Sequence, residues 1–309
     1  MGLARFHKAT IDLETVYGTG NGAPTPIPLF GDALPKPKYS LIEAEIQRGM
    51  GRSPAYIQSV TNSIAAKFRL KGSGTAGTAC ELDKLIQIAG FSSTDNGTTS
   101  EIYSPLNSAW PSATVTINLD GIDWALKGCR IASLKIPLKA GELCVCEADI
   151  QGLWVAPSAA AYSAPTFTNA AVVPAVVQSL AITINSQTHV ISEITFDLVN
   201  EMLAVPDVNA ANYGVSEIAI VGRNWGGTMK VKRDDNNDLE WLTDLFASSE
   251  VAVASTGFGP AGNRMQFSTS SFQIVDLQPV NVNGMWFWDA TFRINVNATP
   301  ASEFSLTML

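Results

Sequence analysis

Apolar and polar residues alternate along two stretches of the chain, 66–71 and 227–233, as in β-strands that bury one face. Each stretch leads through a polar turn into a segment whose leucines recur at helical spacing, 81–90 in the first case and 238–246 in the second. Gly90 is a plausible stop for the first helix. The pattern predicts the same unit twice: a strand, a turn and a short amphipathic helix.

The flanks of these two units also correspond. Upstream, residues 41–46 and 194–198 alternate in the same way, and downstream a turn glycine opens a final strand in both 139–145 and 282–288. Self-similarity of this kind indicates an internal repeat.

We therefore expect two tandem copies of one β-rich domain, at residues 1–157 and 175–309. The segment 158–174 is rich in Ala, Ser, Pro and Thr, which is typical of a linker. A single repetitive barrel is the alternative organisation.

Composition narrows the function. The chain has 46% apolar and 16% charged residues, which is enough to bury a large core, and its 20 basic and 28 acidic residues give a net charge of −8. Residues 1–157 carry 14 basic and 14 acidic residues, whereas residues 158–309 carry 6 and 14, so the net negative charge lies in the second part. This balance argues against a sequence-reading nucleic-acid binder, which would show basic clusters.

Two motifs suggest ligands but have simpler explanations. The spacing Gly72-x-Gly74-x-x-Gly77 resembles a dinucleotide-binding turn, yet no alternation of strands and long helices follows it, so a flexible turn is favoured. Asp234, Asn236 and Asp238 match the first ligands of a calcium loop, but leucines occupy the positions that require Gly and Glu, which favours helix capping.

Enzymatic chemistry is not expected. The chain has two histidines, and it contains no nucleophile elbow and no paired Cys and His. The four cysteines, at 80, 129, 144 and 146, are interpreted as reduced packing residues. With so few histidines and no matching motif, no metal and no cofactor are predicted. The stretch 159–184 is the most apolar, but prolines and polar residues interrupt it, so no membrane helix is predicted either.

The charged positions of the strands are the candidate functional residues. Glu43 and Glu45 alternate on one strand, and Lys67, Arg69 and Lys71 alternate on another, so the two strands would form a cross-strand charge ladder if they pair. The equivalent polar positions of the second copy are Asp197, Lys230 and Lys232. Whether this face lines a lumen or the exterior does not follow from alternation. The run 286–288, Trp-Phe-Trp, suggests either a sugar platform or a strand between core and interface.

A series of motifs in the first copy carries a family resemblance. In chain order these motifs are Glu81-Leu-Asp83-x-Leu85, Gly90-Phe91, Tyr103-x-Pro105, Leu119-Asp-Gly121, Gly128-x-Arg130 and Gly152-Leu-Trp-Val-Ala-Pro157. This order resembles the tail tube proteins of long-tailed bacteriophages of the siphovirus type. The match covers about residues 70–157, and the second copy supports it through the repeat.

The resemblance implies a mainly β fold, with a β-sandwich or half-barrel and one short flanking helix in each copy. It also implies a non-enzymatic virion protein whose subunits join strands into rings that stack into a tube. Double-stranded DNA would pass through that tube without specific binding. The implied partners are further copies of the chain, a tape-measure protein, a tail terminator and a distal tail protein, with assembly in the host cytoplasm and no membrane.

The resemblance also implies that tube subunits with one such domain close rings of six. Two domains per chain therefore predict a trimeric ring with pseudo-sixfold symmetry, and a hexamer of chains is the alternative. The segments 17–37 and 201–214 are expected to be loops that become ordered against a neighbouring ring. Two other functions remain open from the sequence: a glycan-binding β-sandwich adhesin, and a tube subunit of a contractile tail or secretion system.

Overall fold

The computed structural model describes residues 7–31, 33–43, 53–233, 235–296 and 302–309, without the side chains of residues 59 and 235–239. Within these ranges the secondary structure is mainly β-strand, with two helices. The predicted mainly β fold is confirmed.

The first half of the chain contains twelve strands and one helix. They are β1 (His7–Val16), β2 (Thr19–Gly20), β3 (Thr25–Pro26), β4 (Leu29–Phe30), β5 (Pro35–Glu43), β6 (Ala55–Arg69), α1 (Asp83–Gln87), β7 (Phe91–Asp95), β8 (Glu101–Pro105), β9 (Ala113–Leu119), β10 (Ile122–Lys139), β11 (Val145–Trp154) and β12 (Ser158–Ala159).

The second half contains eight strands and the other helix. They are β13 (Ile182–Ile184), β14 (Gln187–Thr188), β15 (Ile191–Pro206), β16 (Val215–Lys232), α2 (Asp235–Ala247), β17 (Val251–Ser255), β18 (Met265–Val282), β19 (Met285–Ile294) and β20 (Ser305–Met308).

The two halves pair their strands in the same order. The first half runs β5–β6–β11–β10–β9–β1, and the second runs β15–β16–β19–β18–β17–β13, with every neighbour antiparallel. The pairing of β10 with β15 joins these two runs into a single sheet, and β8 of the first half also pairs with β20 of the second. Among the described residues the pairings branch but never return to their starting strand, so the sheet is open and is not a closed barrel.

Irregularities in the pairing also recur at matching places. The hairpin β5–β6 shifts register after Ser40, and the hairpin β15–β16 shifts after Glu201. The pairing of β10 with β11 shifts after Ile131, and that of β18 with β19 shifts after Ile274. Bulges bend and twist a strand locally, so the two halves share these distortions as well as their strand order.

Alternation places one face of this sheet in the core. Along β15, Ile194, Phe196 and Leu198 are buried, and along β10, Leu134 and Ile136 are buried. The core face is covered by the outer strands and by α1 and α2, whose Leu85 and Trp241 belong to the same apolar cluster. The other face carries no such layer among the described residues.

Three expectations about element boundaries need correction. The first helix is shorter than the pattern suggested, since α1 has five residues, although Gly90 follows it with a φ of +96°. The segment 201–214 is not a loop throughout, because β15 extends to Pro206 and only the following residues form the turn. The segment 17–37 likewise contains three short strands and the beginning of β5. In the segments 17–37 and 201–214, cross-strand pairing extends the strands beyond what local alternation shows.

Candidate assembly surface

The uncovered side of the sheet is the candidate functional surface, and we call it the open face. It consists of the outward side chains of the eight long strands β5, β6, β10, β11, β15, β16, β18 and β19. Because side chains alternate between faces of a strand, these positions are interleaved with the core residues in the sequence. The result is a polar, charged surface that crosses both halves of the chain.

Opposite charges alternate along one row of the open face. Lys67 on β6 lies opposite Glu147 on β11, Glu147 lies opposite Lys135 on β10, and Lys135 lies opposite Asp197 on β15. The Lys67 ammonium is 2.5 Å from the Glu147 carboxylate, and that of Lys135 is 3.9 Å from Asp197. These pairs are about half exposed, so each contributes only about 0.2–1 kcal/mol.

A second row repeats the alternation four residues further along β10. Lys139 on β10 lies opposite Glu193 on β15, Glu193 opposite Lys230 on β16, and Lys230 opposite Asp289 on β19. Lys230 is 3.8 Å from Glu193. Lys139 also binds Glu142, and this hydrogen bond raises the pKa of Lys139 above its ordinary value. The rows cross the junction between the halves without a break.

The structure brings together most of the residues singled out from the sequence. Lys67, Asp197 and Lys230 belong to the two rows, and Arg69 and Lys232 lie beside them on the same face. Arg69 stacks over Phe30, and Lys232 lies opposite Phe287.

The hypothesis of a charge ladder between Glu43 and the cations of β6 is wrong in register. β5 and β6 do pair, but Glu43 lies opposite Ala55 at the far end of the hairpin. Glu45 lies outside the described residues. Lys67 instead meets Phe30 on β4 and Glu147 on β11. Pairing partners so distant in sequence cannot be read from alternation.

Lys71 is not on the open face, contrary to the expectation from its strand. It is buried, its ammonium lies 3.3 Å from Glu81, and it donates a hydrogen bond to the carbonyl of Asn169 at 2.8 Å. The amide of Asn169 donates in turn to Glu81 at 2.6 Å. This buried pair therefore fixes the 158–174 segment against the first half.

Five members of the rows were missed by sequence reasoning, and the signal for them was present. They are Lys135, Lys139, Glu147, Glu193 and Asp289. Each has a buried apolar residue next to it on at least one side, as the identified residues do. What the sequence lacks is the information that β10, β11, β15 and β19 lie side by side.

The glycine-rich turn is used for packing. The amide of Gly72 donates to the Asn263 side chain at 2.6 Å, and the amide of Gly74 donates to the carbonyl of Gly262 at 2.9 Å. A Cβ on Gly72 would lie 2.5 Å from the Gly262 oxygen. The backbone groups that would hold a phosphate are thus already bonded to the second half of the chain, which supports the structural interpretation.

The remaining motifs also have structural explanations. The segment with calcium-loop spacing begins at Asp234, which lies outside the described residues. The rest of that segment lies in helix α2. The described part of the chain holds no group of three metal-ligating side chains. All four cysteines are free and buried, as predicted.

The aromatic run 286–288 divides between two environments. Trp288 is buried and stacks on Arg233, whereas Trp286, at the tip of its strand, is 52% exposed. Phe287 lies on the open face. The two tryptophans differ because the core ends between them.

Two further findings define the class of protein. Within the described residues, neither helix has the length and apolar character needed to cross a bilayer. The model of one family, described as phage tail tube protein, matches residues 8–307. The chain therefore belongs to the phage tail tube protein family, which implies a structural role, self-assembly into a tube and a place in the virion tail. No curated protein sequence matches it.

Proposed function

We propose that this chain is the subunit of the tail tube of a siphovirus-type phage, and that it acts without catalysis. Copies polymerise into stacked rings through which double-stranded DNA is delivered. The observation that carries the proposal is the open sheet, which is continuous through both halves and which no second layer of the described residues covers on one face. An open sheet leaves strand edges that must be covered, and closure into a ring of copies covers them.

We infer that the open face lines the lumen. The other face carries a second layer of strands and helices, and a packed layer adds about 10 Å of thickness. With that layer outside, the channel stays wide, whereas placing it inside would narrow the channel. The alternating rows on the open face pair each cation with an anion, which limits phosphate binding that would hold DNA in place.

Two copies of one tube domain, at 1–157 and 175–309 with 158–174 as the linker, are the proposed domain organisation. The shared strand order and the matching bulges support it. Three chains would then supply six units to a ring, because barrel diameter follows strand number and the DNA has a fixed width. A ring of six chains is the alternative.

The further partners follow from the family alone. A tape-measure protein would fill the tube before DNA enters it, and a tail terminator and a distal tail protein would cap its two ends. Assembly would take place in the host cytoplasm.

Electron microscopy of the purified full-length chain, with symmetry analysis of the resulting images, tests the proposal. Hollow tubes with threefold repeats of whole chains are expected. Sixfold repeats would contradict the two-domain organisation, and a chain that stays monomeric while binding glycans would indicate an adhesin. A sheath around tubes in the virion would indicate a contractile tail.

A further inference from the structure

Among the edges of the sheet that have no partner strand in the described residues, two lie on β5 and β18. One is the outer side of β5, which pairs with β6 only. The other is the outer side of residues 276–282 of β18, which pair with β19 only. We call these the β5 edge and the β18 edge. Their free backbone groups make them templates for a further strand.

The internal junction shows how such edges meet in this fold. Residues 133–139 of β10 pair antiparallel with residues 193–199 of β15, from Ser133 opposite Val199 to Lys139 opposite Glu193. In the strand order of the two halves, β10 corresponds to β18 and β15 corresponds to β5. The junction between the halves thus joins the same two kinds of edge that are left free on β5 and β18.

The matching bulges fix which residues correspond. Ser40 precedes the register shift in β5 as Glu201 does in β15, which makes Lys38 equivalent to Val199. Asp276 follows the shift in β18 as Ser133 does in β10. The pair Ser133–Val199 of the internal junction therefore translates into Asp276 and Lys38.

We propose that the β5 edge of one chain pairs antiparallel with the β18 edge of a second copy, with Asp276 opposite Lys38 and Gln278 opposite Lys36. The inference rests on the proposed function, since a second copy is the occupant of both edges. Each copy uses two different edges, so the contact is heterologous and repeats around a ring. The sheet then continues from chain to chain with the geometry of the internal junction.

Charge supports this pairing over its alternatives. On the internal junction the lysines lie on β10, as Lys135 and Lys139, and the acids lie on β15. On the free edges the order is reversed, with Lys36 and Lys38 on β5 and Asp276 on β18. The β18 edge can therefore form an ion pair with β5. A second β15 in the same register would place uncharged Val199 opposite Asp276 and Asp197 opposite uncharged Gln278, so no opposite charges would meet.

Apolar exposure provides independent support. Ile220, near the far end of the β15–β16 hairpin, is 2% exposed, while its counterpart on β6, Ile57, is 52% exposed. Leu41 on β5 is likewise 57% exposed, whereas its counterpart Met202 packs against Leu153 and Val215. The second hairpin is covered because the first half lies beside it. A neighbouring chain would cover the first hairpin in the same way.

Prolines limit what the backbone contributes to this contact. Pro35, Pro37 and Pro279 lie on the two free edges and have no amide hydrogen to donate. The junction between chains therefore has fewer backbone hydrogen bonds than the internal one. Charge pairing and the apolar hairpin end must supply more of its stability, and the prolines disfavour pairing with unrelated strands.

Disulfide trapping in assembled full-length protein tests the register. In the double variant Lys36→Cys with Gln278→Cys, mild oxidation of tubes should link chains into covalent ladders, because directly opposite residues have Cβ atoms about 5 Å apart. The matched control is Lys36→Cys with Lys127→Cys, since Lys127 is exposed on β10, away from both free edges. The native cysteines are buried and do not compete.

Charge exchange tests the same contact without new covalent bonds. Lys38→Glu and Asp276→Lys should each reduce the polymerised fraction at least tenfold, and the double variant should restore most of it, while Lys127→Glu should polymerise normally. Ladders in the first pair only, with rescue by the double exchange, would support the inference. If the wild-type chain forms tubes but the Lys36→Cys with Gln278→Cys variant gives no ladders, or the double charge exchange gives no rescue, the inference is overturned and the tube function stands. A wild-type chain that forms no tube or ring would overturn both.

Discussion

The hydroxyl of Tyr17 accepts a hydrogen bond from the amide of Ile218 at 2.7 Å, across 201 positions of sequence. The same hydroxyl donates to the carbonyl of Gly128 at 3.1 Å, and Arg130 lies 5.4 Å from the centre of its ring. Tyr17 follows the first strand, and Ile218 lies on β16 in the second half. This one side chain thus links β10 of the first half to the β15–β16 hairpin of the second half.

We expect Tyr17→Phe to lower the free energy of unfolding by about 1–3 kcal/mol, because the Ile218 amide and the Gly128 carbonyl lose their partner in a half-buried site. Urea denaturation followed by circular dichroism measures the change. Tyr213→Phe is the control, since Tyr213 is 46% exposed. Equal stability of the two variants would show that the Tyr17 contact does not hold the halves together.

The same residue predicts a loss of stability in alkali. Burial raises the pKa of Tyr17 from 10.0 to about 12. Between these values the unfolded chain has lost the proton while the folded chain retains it, so stability is complete below pH 10 and falls as the pH rises towards 12. Unfolding free energies measured from pH 8 to 12 should show this fall, and Tyr17→Phe should make it shallower. The remaining slope comes from groups such as Cys80, whose pKa burial also raises to about 12.

Two lysine–glutamate pairs should respond very differently to the same substitution. Lys71→Met leaves the buried Glu81 without its cation and is expected to cost about 3–5 kcal/mol. Lys67→Met removes an exposed partner of Glu147 and should change stability by about 1 kcal/mol or less. Thermal and urea unfolding compare the variants. Adding Glu81→Gln to Lys71→Met should recover part of the loss, and a loss as small as that of Lys67→Met would contradict the buried pair.

Gly77 and Gly97 have nearly the same backbone but different surroundings. Their φ angles are +71° and +68°, yet a Cβ on Gly77 would lie 1.9 Å from the Gly97 carbonyl oxygen, whereas a Cβ on Gly97 meets nothing within 4 Å. Gly97→Ala should therefore cost only the backbone strain, about 1–2 kcal/mol. Gly77→Ala adds overpacking of about 1–3 kcal/mol. Melting temperatures of the two variants give the comparison, and equal values would refute the packing argument.

The cysteines should be unreactive while the chain is folded. Burial raises the pKa of Cys80 to about 12 and that of Cys129 still higher, so the thiolate that reacts is scarce as well as inaccessible. Iodoacetamide at pH 8 should modify none of the four cysteines in native protein and all of them in denaturant, as counted by mass spectrometry. Rapid modification of native protein would contradict the buried assignment.

The sequence alone determined the strand-rich class and the core face, and it predicted an internal repeat. Alternation needs only local information, because a strand that buries one face must place apolar residues at every second position. The helical spacing of Leu82 and Leu85 in the segment 81–90 is likewise a local pattern, and both residues are buried. The order of motifs in the first half was enough to suggest a tail tube protein.

Only the tertiary structure decided which strands are neighbours. Lys135 meets Asp197, and Glu43 does not meet Lys67, because strand order and bulges set the register between segments distant in sequence. Lys71 alternates like Lys67, but it is buried beyond the end of β6, where the linker segment packs over it. Alternation assigns a residue to a face, whereas its partner on that face, and whether another segment covers it, depends on long-range packing.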